Sequence, residues 1–292
     1  MSLNLEQVKD FATQGFLIVE DVFDDKDLQP VIDELSREID ERARRLQREG
    51  KLSDLHENEP FERRYALLHR QCPEIGERFD IMHLLGRAMF DFLRHPKLLD
   101  VAECLLGREI SLNPIQHVRA KLPWNGEGEP SKFENVPWHQ DVAVTSPDSE
   151  ASEIITFWIP LVDATREVGC MQIIPYAFKQ GALRHQAEGG TMIVPEEMPD
   201  IPPVYAECRK GGIVIMNKYT PHRGIPNRSD IIRWSLDLRY HKTGARSGRD
   251  HLPSFPVRSA ADPGGVLNDY ETWKRLWTEA LSRPQPKKLH RV

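Results

Sequence analysis

From Ile231 to Tyr240 the chain reads I-I-R-W-S-L-D-L-R-Y, and from Arg233 onward it alternates between polar and apolar without a break. Side chains leave a β-strand on opposite faces in turn, so Trp234, Leu236, Leu238 and Tyr240 share one face while Arg233, Ser235, Asp237 and Arg239 share the other. A strand divided in this way constrains its surroundings. The apolar face needs a cover, and the polar face lies either in solvent, as in an ordinary sandwich, or against a polar interior, as in a cupin-type jelly roll. The strand alone leaves both open.

The rest of the chain supplies the cover. Asn4 and Gln7 form a capping-box pair ahead of Leu5, Val8 and Phe11 at helical spacing, and Gly15 stops that segment. Phe16 to Phe23 predicts a strand. Asp24 and Asp25 then open a long helix carrying Leu28, Val31, Leu35, Ile39 and Leu46, which ends at Gly50. Further helices are expected near 73–93 and 96–106. From Ile110 the texture changes to short apolar runs broken by Pro and Gly, at 110–122, 137–144, 153–162, 169–174, 204–208, 212–217 and 231–240, the signature of antiparallel sheet. A last helix is expected over 269–282, with Trp273, Leu276, Trp277 and Leu281 in phase. The expected class is α+β in one domain spanning 1–292: a mostly helical part to 107, a sheet core over 108–244, and a C-terminal loop, helix and tail over 245–292.

Charge and cysteine usage exclude several roles. With 45 acids against 39 bases the surface is mildly acidic, unlike that of a nucleic-acid binder. Cys72, Cys104, Cys170 and Cys208 form no C-x-x-C pair, which predicts free thiols in a reducing compartment. No stretch approaches the roughly 20 apolar residues that span a bilayer, and no basic segment precedes an apolar one at the N-terminus. A cytoplasmic protein with no membrane or nucleic-acid partner is expected.

The chemistry sits in Trp138-His139-Gln140-Asp141. On a strand, His139 and Asp141 emerge on the same face and can chelate one ion. The pair is weak evidence alone, because 11 histidines, each with a 45-in-292 chance of an acid two residues on, give about 1.7 such pairs by accident. A second histidine strengthens it. His222 follows the apolar strand Gly212 to Asn217, at a strand end, and Arg233 opens the polar face of the next strand. Two histidines and one carboxylate occupy one face of an octahedral Fe(II) and leave three sites open. A nearby arginine can grip a dicarboxylate through a bidentate pair, which lysine does less well.

H-x-D, a later histidine at a strand end and an arginine eleven residues beyond it resemble the phytanoyl-CoA dioxygenase family of Fe(II)/2-oxoglutarate oxygenases. Phe157 to Thr165, then Gly169 to Pro175, are similar to that family's W-x-x-L-x-D-A-T and N-G-x-L-x-x-x-P-G-S-H stretches, and Asp10 to Val19 is similar to its N-terminal D-x-F-x-x-x-G-F-L-x-x stretch. Two departures stand out: Val168 takes the place of the usual asparagine, and Tyr176-Ala177-Phe178 replaces Gly-Ser-His. The resemblance implies a double-stranded β-helix, a jelly-roll barrel with the N-terminal helices packed on one sheet. It implies His139, Asp141 and His222 as iron ligands, Arg233 on the distal carboxylate of 2-oxoglutarate, and Ser235 as a further hydrogen bond to it. Gln116 and Trp158 are implied to line the same pocket. The implied reaction is hydroxylation of a small organic substrate with O2, releasing succinate and CO2.

Two other classes use the same ligands: a metal-binding cupin without oxygenase activity, and a zinc hydrolase. Zinc prefers a four-coordinate site with a bound water and then needs a separate base, and Arg233 has no role there. The segment 123–135, rich in Gly, Pro and Glu, is expected to be an irregular loop at the mouth of the barrel, with Trp124 and Phe133 placed to close over substrate.

Overall fold

The computed structural model describes residues 2–124, 126, 136–187 and 191–284, so most of the 123–135 loop, including Phe133, lies outside the described residues. Helix α1 (Leu5–Gln14) starts at the Asn4/Gln7 capping box and ends at Gly15 in the left-handed region. It leads into β1 (Phe16–Val19), shorter than the strand expected to reach Phe23. Asp24 caps α2 (Asp25–Arg48), whose Leu28, Val31, Ile32, Leu35, Ile39, Ala43 and Leu46 recur at helical spacing and are all buried.

The expected helix over 73–93 is broken. Residues 73–76 form a short 3-10 turn, and α4 (Ile81–Leu84) and α5 (Arg87–Phe92) are separated by Leu85, which ends α4 at φ 50. A further helix, α3 (Phe61–Gln71), was not expected; its N-cap is Pro60, with no side-chain cap to announce it. Helix α6 (Pro96–Leu106) and, after the sheets, α7 (Tyr270–Ser282) form as expected.

One antiparallel sheet contains β1, β2 (Glu109–Leu112), β3 (His117–Lys121), β4 (Ile154–Pro160), β9 (Ile213–Asn217), β11 (Arg233–Lys242) and β12 (Phe255–Ser259). Its order is β1-β9-β4-β11-β2-β12, with β3 paired along the first half of β11. A smaller sheet has the order β10 (His222–Gly224), β5 (Met171–Ile173), β8 (Val204–Ala206), and β6 (His185–Gln186) pairs with β7 (Met192–Ile193). Among the described residues, the ladders stay within each sheet. The expected mixture of helix and antiparallel sheet is present; closure into one hydrogen-bonded barrel is not among its pairings.

The divided strand lies within the larger sheet. Its apolar face, Trp234, Leu236, Leu238 and Tyr240, is fully buried in the core that also holds the helices. Phe61 of α3 stacks on Trp234 at 4.9 Å, Tyr65 meets it edge-on at 5.2 Å, and the Tyr240 hydroxyl donates to Leu93 O at 2.7 Å. Burying each such side chain contributes about 1.5–3 kcal/mol. On the opposite side of the sheet, Trp158, Val214 and Met216 pack with Cys170 and with Met171, Ile173 and Ala206 of the smaller sheet in a second core. The polar face of β11 therefore points between the sheets and not into solvent, which decides the choice the sequence left open. No helix among the described residues is long and apolar enough to cross a membrane.

Candidate metal centre

Two chain segments remote in sequence meet at His139 and His222. Each backbone N–H donates to the other's carbonyl, at 3.0 and 2.9 Å, in a single antiparallel bridge beside the smaller sheet. The rings sit 4.2 Å apart between centroids. His139 Nδ1 lies 2.9 Å from Pro137 O and His222 Nδ1 lies 3.0 Å from Thr220 O. A carbonyl only accepts, so each Nδ1 carries the proton and each Nε2 presents a lone pair. Burial, with His222 alongside, pushes the His139 imidazole down to about 3, so it is neutral and ready to ligate near neutral pH.

The approach to His222 is braced from the far end of the chain. The Gly15 carbonyl at the end of α1 accepts from Asn217 N at 2.9 Å and from Thr220 Oγ1 at 2.6 Å, and Tyr176 N donates to Gln14 O at 2.8 Å. A Cβ on Gly15 would sit 2.4 Å from Phe178 Cδ1, so glycine is required by space as well as by its φ of 84. Tyr176, standing where the resembling family has glycine, itself adopts φ 65.

The H-Q-D segment is not the expected strand. After the bridge at His139 the chain turns, and Asp141–Val144 is a 3-10 turn. The turn is held by Gln140, which is fully buried. Its Nε2 donates to Gly181 O at 2.9 Å and Tyr219 O at 2.6 Å, its Oε1 accepts from Leu183 N at 2.8 Å, and its backbone N donates to His185 Nε2 at 3.1 Å. Asp141 still arrives beside the two imidazoles: one ligand atom from each of His139, Asp141 and His222 lies within 4.8 Å of the others.

Asp141 is buried, and both of its carboxylate oxygens accept hydrogen bonds. Arg239 Nη2 donates to Oδ1 at 2.6 Å and Arg239 Nε to Oδ2 at 3.3 Å, while the Thr156 hydroxyl also donates to Oδ2. Burial alone would raise this carboxyl, but the Arg239 charge outweighs it and holds the group well below the usual carboxylate range. Sequence reasoning placed Arg239 on the polar face of β11 and gave it no role; its signal was its place six residues along the face opened by Arg233.

Arg233 is buried and lines a cavity of about 270 Å³ shared with His139, His222, Trp158, Thr156 and Arg239. Its Nη1 donates to Ser235 Oγ at 2.6 Å, and its guanidinium carbon lies 5.0 Å over the Trp158 ring. Its Nε has no hydrogen-bond partner, and among the described residues no carboxylate forms an ion pair with it. Burial lowers its pKa to about 10, partly offset by the charge of Asp237. A buried cation in this state can accept an anion brought from outside. Lys121, paired in register with Arg233, lines the same cavity, as does Asp237. Ser235 is fully buried beneath the guanidinium, and Gln116 is buried outside the cavity walls, with both amide atoms unpartnered among the described residues.

The donor set suits a divalent metal, with two imidazoles whose Nδ1 atoms face backbone carbonyls, one carboxylate and no thiolate. Arg233, with no ion-paired carboxylate among the described residues, could grip one end of a dicarboxylate whose other end meets such a metal.

Comparison with known proteins adds three kinds of likeness. The sequence profile of the family described as Phytanoyl-CoA dioxygenase (PhyH) matches residues 11–235. The 1-deoxypentalenic acid 11-beta-hydroxylase of Streptomyces exfoliatus is 24% identical over 190 residues, 61% of this chain, and the match spans 65% of that enzyme's length. The peroxisomal phytanoyl-CoA dioxygenase of Rattus norvegicus is 22% identical over 93% of this chain and 81% of its own. Among solved structures, the apo non-heme monooxygenase ThoJ matches at TM-score 0.64, with 19% identity and 95% of each chain covered. The epimerase SnoN in complex with Fe3+, alpha ketoglutarate and nogalamycin RO matches at TM-score 0.55, with 22% identity over 82% of this chain and 84% of that one.

Proposed function

Since this chain belongs to the phytanoyl-CoA dioxygenase family, we propose that it is a non-haem Fe(II)- and 2-oxoglutarate-dependent dioxygenase that hydroxylates a C–H bond of a small organic substrate. One observation carries the reading: Arg233, a buried guanidinium with no carboxylate partner among the described residues, faces the same cavity as His139 and His222, whose ligand atoms converge with that of Asp141. A metal-storage cupin or a zinc hydrolase has no use for that cation.

His139, Asp141 and His222 would hold the iron, through the two Nε2 atoms and a carboxylate oxygen. When bound, the iron and 2-oxoglutarate supply activation of O2, with the co-substrate oxidatively decarboxylated to succinate and CO2. The chain's own residues supply aim. Pro137 O and Thr220 O fix both imidazole tautomers. Arg233, steadied by Ser235 and lying over Trp158, receives the distal carboxylate. Trp158, Met171 and Met216 give the cavity apolar wall that excludes water. The two facing sheets support a jelly-roll reading, and a continuous core shared by the helices and the larger sheet, from Leu3 to Trp277, supports one domain over 1–292. Four free cysteines support a reducing compartment such as the cytoplasm.

The test is direct. Purified protein supplied with Fe(II), O2 and 2-oxoglutarate should form succinate slowly without any other substrate, and His139→Ala or His222→Ala should abolish both iron uptake and succinate formation. Undiminished iron binding in the doubly substituted protein would sink the assignment.

A further inference from the structure

We propose that Arg239 is the resident counter-ion of the metal site, holding Asp141 in place when no metal is bound and restraining the affinity with which a divalent cation is taken up. The inference rests on reading His139, Asp141 and His222 as metal ligands, and it concerns a residue outside that set.

The pair is unusually enclosed. The Arg239 and Asp141 side chains are only 7% and 3% exposed, and the guanidinium meets the carboxylate with two of its nitrogens. Its remaining nitrogen is pinned as well, because Nη1 donates to Ile115 O at 3.1 Å. Ile115 is itself held by Asn113, whose Oδ1 accepts from Ile115 N at 3.0 Å and whose Nδ2 donates to Ser247 O at 2.8 Å. Arg239 is therefore clamped from behind and has little freedom to swing away when a metal arrives.

A carboxylate offers about four lone-pair positions. On Asp141, two are taken by Arg239 and one by Thr156. One position is left, enough for a single metal bond. Without the metal, this arrangement spares the protein a buried, unpaired carboxylate, so the site keeps its shape while empty. With the metal, a fixed cation stands one carboxylate away from a divalent one, and their repulsion weakens uptake. A dianion bound between the metal and Arg233 would offset that repulsion. Metal and 2-oxoglutarate should then each tighten the binding of the other, by the same factor.

Replacing Arg239 by a neutral residue separates this role from simple scaffolding. A structural brace, once lost, would lower stability and metal affinity together. A counter-ion, once lost, lowers the stability of the metal-free protein and raises metal affinity. Co(II) is the probe, titrated into metal-free protein by calorimetry and followed by its visible absorption, with thermal unfolding measured in parallel. Arg239→Met and Arg239→Gln should lower the metal-free unfolding midpoint while tightening Co(II) binding tenfold or more. Arg239→Lys, which keeps the charge and loses the fork, should stay within a few-fold of the parent. The gain in Co(II) affinity given by 2-oxoglutarate should shrink in the neutral variants.

A neutral variant that folds only when Co(II) is present is the extreme form of the same result. Co(II) affinity unchanged or weakened in both neutral variants overturns the proposal, as does a variant that stays unfolded with Co(II) supplied. A parent protein that takes up no Co(II), with or without 2-oxoglutarate, sinks the metal assignment itself. In that case Co(II) uptake gained by a neutral variant would still identify Arg239 as the competing ion, and its absence would overturn both readings.

Discussion

Arg233 and Ser235, two residues apart on one face of β11, share a 2.6 Å hydrogen bond in which the guanidinium donates and the hydroxyl accepts. The bond aims the guanidinium but does not neutralise it. A buried cation with no ion-paired carboxylate among the described residues is costly in the empty protein, and that cost is recovered when an anion arrives.

Arg233→Met should therefore act in opposite directions on two measurements. The affinity for 2-oxoglutarate should fall about 10- to 150-fold, the equivalent of losing one charge-assisted contact of roughly 1.5–3 kcal/mol. The unfolding midpoint of the ligand-free protein should hold or rise, because a buried unpaired charge is gone. Calorimetric titration and thermal unfolding read the two effects separately; a midpoint several degrees below the parent would show that Arg233 has a partner that stabilises it.

Gly15 ties the end of α1 to the turn that delivers His222. Gly15→Ala forces a side chain into left-handed backbone and against Phe178, costing about 2–5 kcal/mol from the two effects together. Part of that strain should pass through Thr220 to His222. Metal affinity should fall in this variant although its Cβ touches no ligand, and unchanged affinity in a destabilised but folded protein would show that the turn is independently rigid.

Burial depresses the His241 imidazole to about 4 from an ordinary value of 6.5. The unfolded chain therefore takes up a proton that the folded chain refuses, and stability falls as the pH drops from 6.5 towards 4, with no further contribution below that. Above 6.5 the contribution is fully present. Urea midpoints for the parent and His241→Gln, measured across this window, should show a shallower pH slope in the variant; parallel slopes would assign the pH sensitivity to other groups.

The parts legible in the sequence are those governed by short-range periodicity. The division of β11 followed from a period of two, and the seams of α2 and α7 from a period of 3.6. The meeting of His139 with His222 was foreshadowed by a histidine at a strand end. What stayed hidden depends on distant partners. The H-Q-D segment has the composition of a strand, yet it turns because Gln140 is bonded to Gly181, Leu183 and Tyr219. Helix α3 has no side-chain N-cap and gains its place from packing Phe61 and Tyr65 onto Trp234. The helix expected over 73–93 is interrupted at Leu85, whose left-handed conformation no local residue preference foretells.

Because β11 carries the core on one face and the cavity on the other, it sorts the effects of mutation by parity. Substitutions at Trp234, Leu236, Leu238 and Tyr240 will be felt as lost yield of folded protein, whereas changes at Asp237 can alter what the cavity accepts while sparing the hydrophobic layer. The two kinds of change can therefore accumulate independently along the same ten residues. A deletion within the strand is the exception, since a slip of one position would turn arginines into the core and tryptophan into the cavity. Lineages derived from this scaffold are thus free to diversify by substitution in β11 and barred from doing so by length.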